Sequence, residues 1–233
     1  MPLSNEQWFG SGALGAITGS NTANPAALGG NHAQFTFSGM ALGDADASRI
    51  IVIAVTVGWN GDIGTVTSVT VGGASNYSTQ QVEQSGVSGA ENHRAEIWSY
   101  VYASGTSADV VVNLSDEVNN NRGCLISVFS LVGAAVLAPG ATAKDAGGVD
   151  ESMTADVDAK KNGYIIAASA RQSATSCEWT GATEVSDERK VNFYGSNAYH
   201  VPTSDDGTYT IAPTWADEGS STGCLVLASW HPT

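Results

Sequence analysis

Four histidines, His32, His93, His200 and His231, carry the side chain best suited to moving a proton or holding a metal near neutral pH, and each stands alone in the chain. No two fall at the spacing of a metal site, so a structural role is expected for each. Nucleophilic catalysis needs a positioned Ser or Cys with a base in reach, and no Gly-x-Ser-x-Gly elbow occurs in the chain. The nearest string, Ser85-Gly86-Val87-Ser88-Gly89, has the wrong spacing and suits a polar loop. Glu96, Asp116, Glu117, Glu178, Asp187 and Asp217 could supply the two carboxylates of glycoside hydrolysis, but that pairing is spatial and leaves no local signature. The acids lie mostly in clusters such as Asp116-Glu117 and Asp205-Asp206-Gly207, where they favour turns and solvation.

Asp44-Ala45-Asp46 and Asp205-Asp206-Gly207 offer hard oxygen ligands of the kind calcium prefers, yet neither matches a twelve-residue calcium loop. Gly72-Gly73-Ala74 is not followed by Lys-Ser or Lys-Thr and opens no helix, so it cradles no phosphate. No pattern for a cofactor, a metal or a catalytic residue emerges, and the chain is expected not to be an enzyme.

The aromatic residues offer another chemistry. Trp59, followed by Asn60-Gly61-Asp62, sits at a strand end beside a polar loop, where an exposed ring could stack on a sugar with Asn60 and Asp62 as hydrogen-bonding neighbours. Trp98, Trp179, Trp215 and Trp230 fall within apolar strand-like runs and are expected to fill cores. Trp8 and Phe9 form an isolated aromatic pair in an otherwise structureless leader, and so are candidates to anchor the chain in a groove of a partner.

What must position these residues is a chain poor in charge, 14%, and rich in Gly, Ser, Thr, Asn and Ala, a composition suited to strands joined by tight turns. Nine basic against 23 acidic residues leave a formal charge of -14, which repels phosphate backbones and anionic headgroups, so neither nucleic acid nor membrane is an expected partner. The beginning of the chain lacks a basic stretch followed by an apolar one, and no window approaches a bilayer span, so neither a secretory signal nor a membrane segment is expected. Cys124, Cys177 and Cys224 lie in strand-like runs and are expected to be reduced and buried, with a Cys124–Cys224 bridge left open.

The organisation is a duplication. Thr67-Ser68-Val69-Thr70-Val71-Gly72-Gly73-Ala74 returns as Thr175-Ser176-Cys177-Glu178-Trp179-Thr180-Gly181-Ala182. Upstream of each lies an apolar run, 49–57 and 163–170. Downstream, 105–114 matches 207–215, and Gly123-Cys124-Leu125-Ile126 matches Gly223-Cys224-Leu225-Val226. The expected fold is all-β: an irregular N-terminal arm over 1–33, then two tandem antiparallel β-sandwich units of jelly-roll or immunoglobulin-like type over 34–133 and 146–233. The connector over 134–145 is too poor in large side chains to form a core element, and either lets the units rotate or allows them to pack as one compound sandwich. The runs 50–57 and 124–131 are apolar at successive positions, as in strands covered on both faces, whereas 95–102 alternates, as in a strand with one wetter face.

The opening Ser4-Asn5-Glu6-Gln7-Trp8-Phe9-Gly10 resembles the short leader of many tailed-bacteriophage virion proteins. The succession of Arg49-Ile50-Ile51-Val52, Val69-Thr70-Val71-Gly72-Gly73-Ala74, Ala95-Glu96-Ile97-Trp98 and Gly105-Thr106-Ser107-Ala108-Asp109-Val110-Val111-Val112 is similar to a β-sandwich module of phage appendage and decoration proteins. The longer members' coiled-coil or collagen-like shaft and depolymerase core are missing. The resemblance implies a virion structural protein on the particle exterior, a capsid decoration protein or short head spike anchored by its N-terminal arm. It would be assembled in the host cytoplasm, with capsid or tail proteins as partners and as a homo-oligomer. A tail-fibre or tail-tip module that recognises host glycans is the alternative within the same resemblance, and a polysaccharide-active enzyme is a more distant one.

Overall fold

A computed structural model of the chain describes residues 19–21, 32–60, 64–73, 75–76, 78–88, 91–118, 123–134, 136–147, 152–172, 174–190, 193–203, 206–217 and 222–232. Among the described residues there is no helix. The first half contributes β1 (Gly19–Asn21), β2 (His32–Ala41), β3 (Ile50–Asn60), β4 (Val66–Val71), β5 (Thr79–Ser88), β6 (Glu91–Val101), β7 (Ser107–Val118) and β8 (Cys124–Leu131). The second contributes β9 (Ala141–Gly147), β10 (Ala155–Ala159), β11 (Tyr164–Arg171), β12 (Ala174–Thr180), β13 (Thr183–Lys190), β14 (Phe193–His200), β15 (Gly207–Asp217) and β16 (Gly223–Trp230).

The strands form four antiparallel sheets, β2-β7-β4, β1-β8-β3-β6-β5, β13-β14-β11-β16-β9 and β10-β15-β12. The second half repeats the strand order of the first, strand for strand. In each half the first strand pairs with the eighth, the second with the seventh and the third with the sixth, the nested winding of a jelly roll. Completing that nesting would pair the fourth strand with the fifth. Instead β5 pairs with β6 and β13 with β14, so one sheet of each half widens to five strands and the other keeps three.

Three apolar cores separate the four layers. Because side chains alternate across a strand, β3 sends Ile51, Ile53, Val55 and Val57 towards β2-β7-β4 and Ile50, Val52 and Ala54 the opposite way. Those three meet Tyr164, Ile166, Ala168 and Ala170 of β11, while Ile165 and Ala167 of the same strand face β10-β15-β12. The two five-stranded sheets therefore pack face to face, and the layers run three, five, five, three. Across the middle core β5 lies over β9 and β16 while β13 lies over β1 and β8. Likewise β6 lies over β11 and β16 while β14 lies over β3 and β8, with β3 and β11 crossing. Each contact has its reciprocal, as at an isologous two-fold interface. A buried polar bridge joins the halves there: the Ser127 and Ser186 hydroxyls are 2.9 Å apart, and the Asn197 amide donates to Ser127 Oγ at 3.0 Å.

Several sequence expectations change on this frame. Strand β6 is buried on both faces from Ala95 to Ser99, not wetter on one, because the second half covers the face a lone sandwich would leave to water. The stretch expected to be a connector over 134–145 runs into β9, whose small Ala and Thr side chains and charged Lys144 and Asp145 fit an edge strand beside β16 better than a core. Within the expected arm, Gly19–Asn21 pairs with Ile126–Val128, and the arm's last residues belong to β2. All three cysteines are free and buried.

Candidate binding surface

Two of the candidate acids, Glu96 and Asp187, are occupied in hydrogen-bonded clusters. Glu96 is 1% exposed, and its Oε2 accepts from Gln80 Nε2 at 2.8 Å and Trp98 Nε1 at 2.7 Å. Its Oε1 lies 2.6 Å from Arg94 Nε, and Arg94 Nη2 reaches Glu83 at 2.7 Å, so the guanidinium bridges two carboxylates. Burial, opposed by Gln80, Arg94 and Trp98, raises the Glu96 carboxyl above its ordinary range. In the second half Asp187 accepts from Tyr194 Oη at 2.6 Å and from the Cys177 amide at 3.3 Å, and burial raises it likewise.

These two clusters occupy one topological place. The fifth strand of each half carries a bulge at the same point, between Gln80 and Val82 opposite Trp98 and Ile97, and between Glu184 and Ser186 opposite Ala198 and Asn197. Glu83 and Asp187 follow at the same step, and Arg94 and Tyr194 lie at the same step of the sixth strands. The acids therefore close the edge of each roll where the fifth strand departs.

Glu178, Asp116 and Glu117 are exposed on strands, and only the backbone of Asp217 is described. Asp46 accepts from the Ser48 amide at 2.7 Å and hydroxyl at 2.6 Å, and Asp206 accepts from the Lys161 amide at 3.0 Å, so both hold turns. Among the described residues no three His, Cys, Asp or Glu side chains converge to hold a metal. Burial pushes the thiols up, Cys224 to about 12, so none is a thiolate at neutral pH. Ser85 to Ser88 run in β5, with Gly86 opposite His93, rather than on an elbow.

Trp8, Phe9 and Asp62 lie outside the described residues. Trp59 and Asn60 end β3 opposite Asn92 and Glu91. Trp98, Trp215 and Trp230 are buried as expected, and Trp179 packs at the rim of the third core and donates to Ser196 Oγ at 2.7 Å.

A broad concavity lies on a different face, the outer side of β2-β7-β4. It is an open trough of about 950 Å³, floored by outward side chains of all three strands and walled at one end by Tyr102 and Gly72-Gly73. Gln34 and Ser68 flank Asn113 as its cross-strand partners. Gln34 Nε2 donates to Asn113 Oδ1 at 2.7 Å and Asn113 Nδ2 donates to Ser68 Oγ at 2.9 Å, so one hydrogen-bonded ladder spans the sheet. Asp109 is the lone charged residue among the lining side chains, and it accepts the Gly39 amide at 2.8 Å.

Tyr102 is held from behind. Arg49, fully buried, donates Nε to Tyr102 O at 2.8 Å and its two other nitrogens to carbonyls of Leu42, Gly43, Asp44, Ser104 and Gly105 at 2.8 to 3.1 Å. Its guanidinium carbon is 5.8 Å from the Tyr102 ring centroid. Gly72, at φ 69°, has no side chain to obstruct that ring: a Cβ there would lie 2.9 Å from Tyr102 Cζ. Charge and tryptophan pointed elsewhere in the sequence. Gln34, Ser68 and Asn113 become a group only once the register of three strands is known.

No family model and no curated protein matches the chain. Among solved structures, one described as "Streptococcus agalactiae AgI/II polypeptide BspA C terminal domain (WT)" aligns at 12% identity over 95% of this chain and 90% of that one, with a TM-score of 0.18. Another, "BspA_C_WT", aligns at 11% identity over the same shares with a TM-score of 0.19. Scores this low support neither a shared fold nor a shared role.

Proposed function

We propose that this chain is a structural component of a bacteriophage particle's exterior, a capsid decoration protein or short head spike, anchored by its N-terminal arm and presenting a double jelly roll outward. The observation that carries the proposal is the stack of three apolar cores, which commits the large side chains of both halves to one body with two solvent-facing outer sheets. The most deeply buried acids support a passive role, since Glu96 and Asp187 hold strand edges together rather than face a cleft. Attachment rests on the resemblance of Ser4 to Gly10 to virion leaders, with Trp8 and Phe9 as anchors and other virion proteins, in several copies, as partners.

The test is attachment to purified particles. The full chain should cosediment with them at a fixed copy number, and a variant lacking residues 1–33 should remain in the supernatant. Attachment at full occupancy without residues 1–33, or absence of the chain from particles, would overturn the proposal.

A further inference from the structure

We infer that the trough on the outer face of β2-β7-β4 is a binding site for a neutral oligosaccharide. The inference holds wherever on a particle the body sits. A ligand is specified by what the trough offers. The ladder of Gln34, Asn113 and Ser68 presents, beyond its own bonds, an amide carbonyl, further amide N–H groups and a hydroxyl proton, the mixed donors and acceptors that match sugar hydroxyls. From Asn113 to Asp109 the trough runs four residues along β7, about 13 Å at the usual strand rise, and ends against the Tyr102 ring, which can lie on the apolar face of a pyranose. Its volume lies within the roughly 300–1,000 Å³ typical of small-ligand sites.

Charge excludes the other classes. No Lys or Arg lines the trough, so it cannot neutralise a phosphate, a sulfate or a uronate. Its one carboxylate, Asp109, is already engaged by the Gly39 amide and brings no second acid to hold a cation. The corresponding outer sheet of the second half makes the contrast: Asp156, Asp158 and Glu178 all face solvent there, with Asp156 and Asp158 accepting from Thr210 and Thr208 at 2.6 Å. The fold is duplicated, while the uncharged ladder belongs to the first half alone. The positions of Trp59 and Asn60 do not join it. They lie at the far end of β3 from Ile50, about 30 Å away by strand rise.

The experiment places the full chain on an array of neutral and anionic bacterial polysaccharide fragments, followed by titration calorimetry with the best neutral fragment. Neutral fragments should bind and uronate-containing or phosphorylated ones should not. Asn113→Ala, half-buried, and Gln34→Ala, exposed, should each weaken binding at least tenfold, while the lost ladder hydrogen bonds lower the thermal midpoint only modestly. Tyr102→Ala should weaken binding as much, with a lowered thermal midpoint because its ring packs on the first core, and Thr210→Ala on the other outer sheet should bind as the natural chain does. Absence of binding by every neutral fragment, equal binding of anionic ones, or full affinity in both Asn113→Ala and Gln34→Ala would overturn the inference.

Discussion

Thr67 and Thr175 make the same hydrogen bond at the same irregularity, one in each half of the chain. Thr67 Oγ1 donates to Asn113 O at 3.1 Å and Thr175 Oγ1 to Ala216 O at 3.0 Å. Both residues sit at a register shift, between Val66 and Ser68 and between Ala174 and Ser176, where an extra residue bends the fourth strand against the seventh. The turns that follow both use a positive-φ glycine, Gly73 at φ 143° and Gly181 at φ 80°, though the first also places Gly72 at φ 69° where the second has Thr180.

Equivalent bonds should have equivalent worth. Thr67→Val and Thr175→Val each remove one exposed hydroxyl without changing shape, and each should lower the unfolding free energy by about 0.5–1.5 kcal/mol. Urea titration of the two variants checks this, and a loss confined to one of them would deny the correspondence.

Phe129 joins the halves. It is fully buried in the middle core, 6.5 Å from the Tyr164 ring in an edge-on arrangement. Phe129→Ala should cost about 3–5 kcal/mol. Because the cavity opens between the halves, tryptophan fluorescence and near-ultraviolet dichroism should report one lowered transition rather than a loss in the first half alone.

Arg49 is a buried cation satisfied by carbonyls. Six backbone oxygens from the segments 42–44 and 102–105 depend on it. Arg49→Met should cost about 3 kcal/mol or more, since one buried and several partly buried acceptors lose their donor at roughly 1–3 kcal/mol for each one left unsatisfied. Arg49→Lys should recover little, because one ammonium lacks the planar fork that reaches both segments. The thermal midpoints of the two variants give the measure.

The raised Glu96 carboxyl sets a pH slope. Between the ordinary glutamate value, about 4.3, and its raised folded value, the folded chain retains a proton that the unfolded chain has released. Stability contributed by this group therefore falls as pH rises through that window and is constant on either side. Asp187 acts in the same sense. Glu96→Gln removes the titration, so the natural chain's stability relative to that variant should decline from pH 4.5 to 7.5 in urea unfolding. A relative stability that increases with pH would contradict the burial account.

Much of the fold was legible in the sequence because alternation and composition speak directly of strands. Ile50 to Val57 and Cys124 to Leu131 read as doubly covered and are so, and the four matched segments fall on corresponding strands. Side-chain register was harder. Gly123-Cys124 and Gly223-Cys224 look aligned, yet Cys124 faces the first core and Cys224 the middle one, because the true correspondence is one residue away and one step flips a strand's faces. The match of 105–114 with 207–215 slips in the same way: Val69 pairs with Val112 and Cys177 with Trp215, so Val112 corresponds to Trp215. The site was less legible still. Gln34, Ser68 and Asn113 are ordinary polar strand residues, 34 to 79 positions apart along the chain in their closest and farthest pairs, and only pairing makes them a ladder.

Native-state hydrogen exchange on β3 and β11 tests most directly whether the two halves are one body. The shared middle core predicts that amides of Ile51 to Val57 and of Ile165 to Arg171 exchange through a common opening, with equal free energies that match global unfolding. Exchange of one strand through an opening that leaves the other protected would show two independent halves and contradict the account.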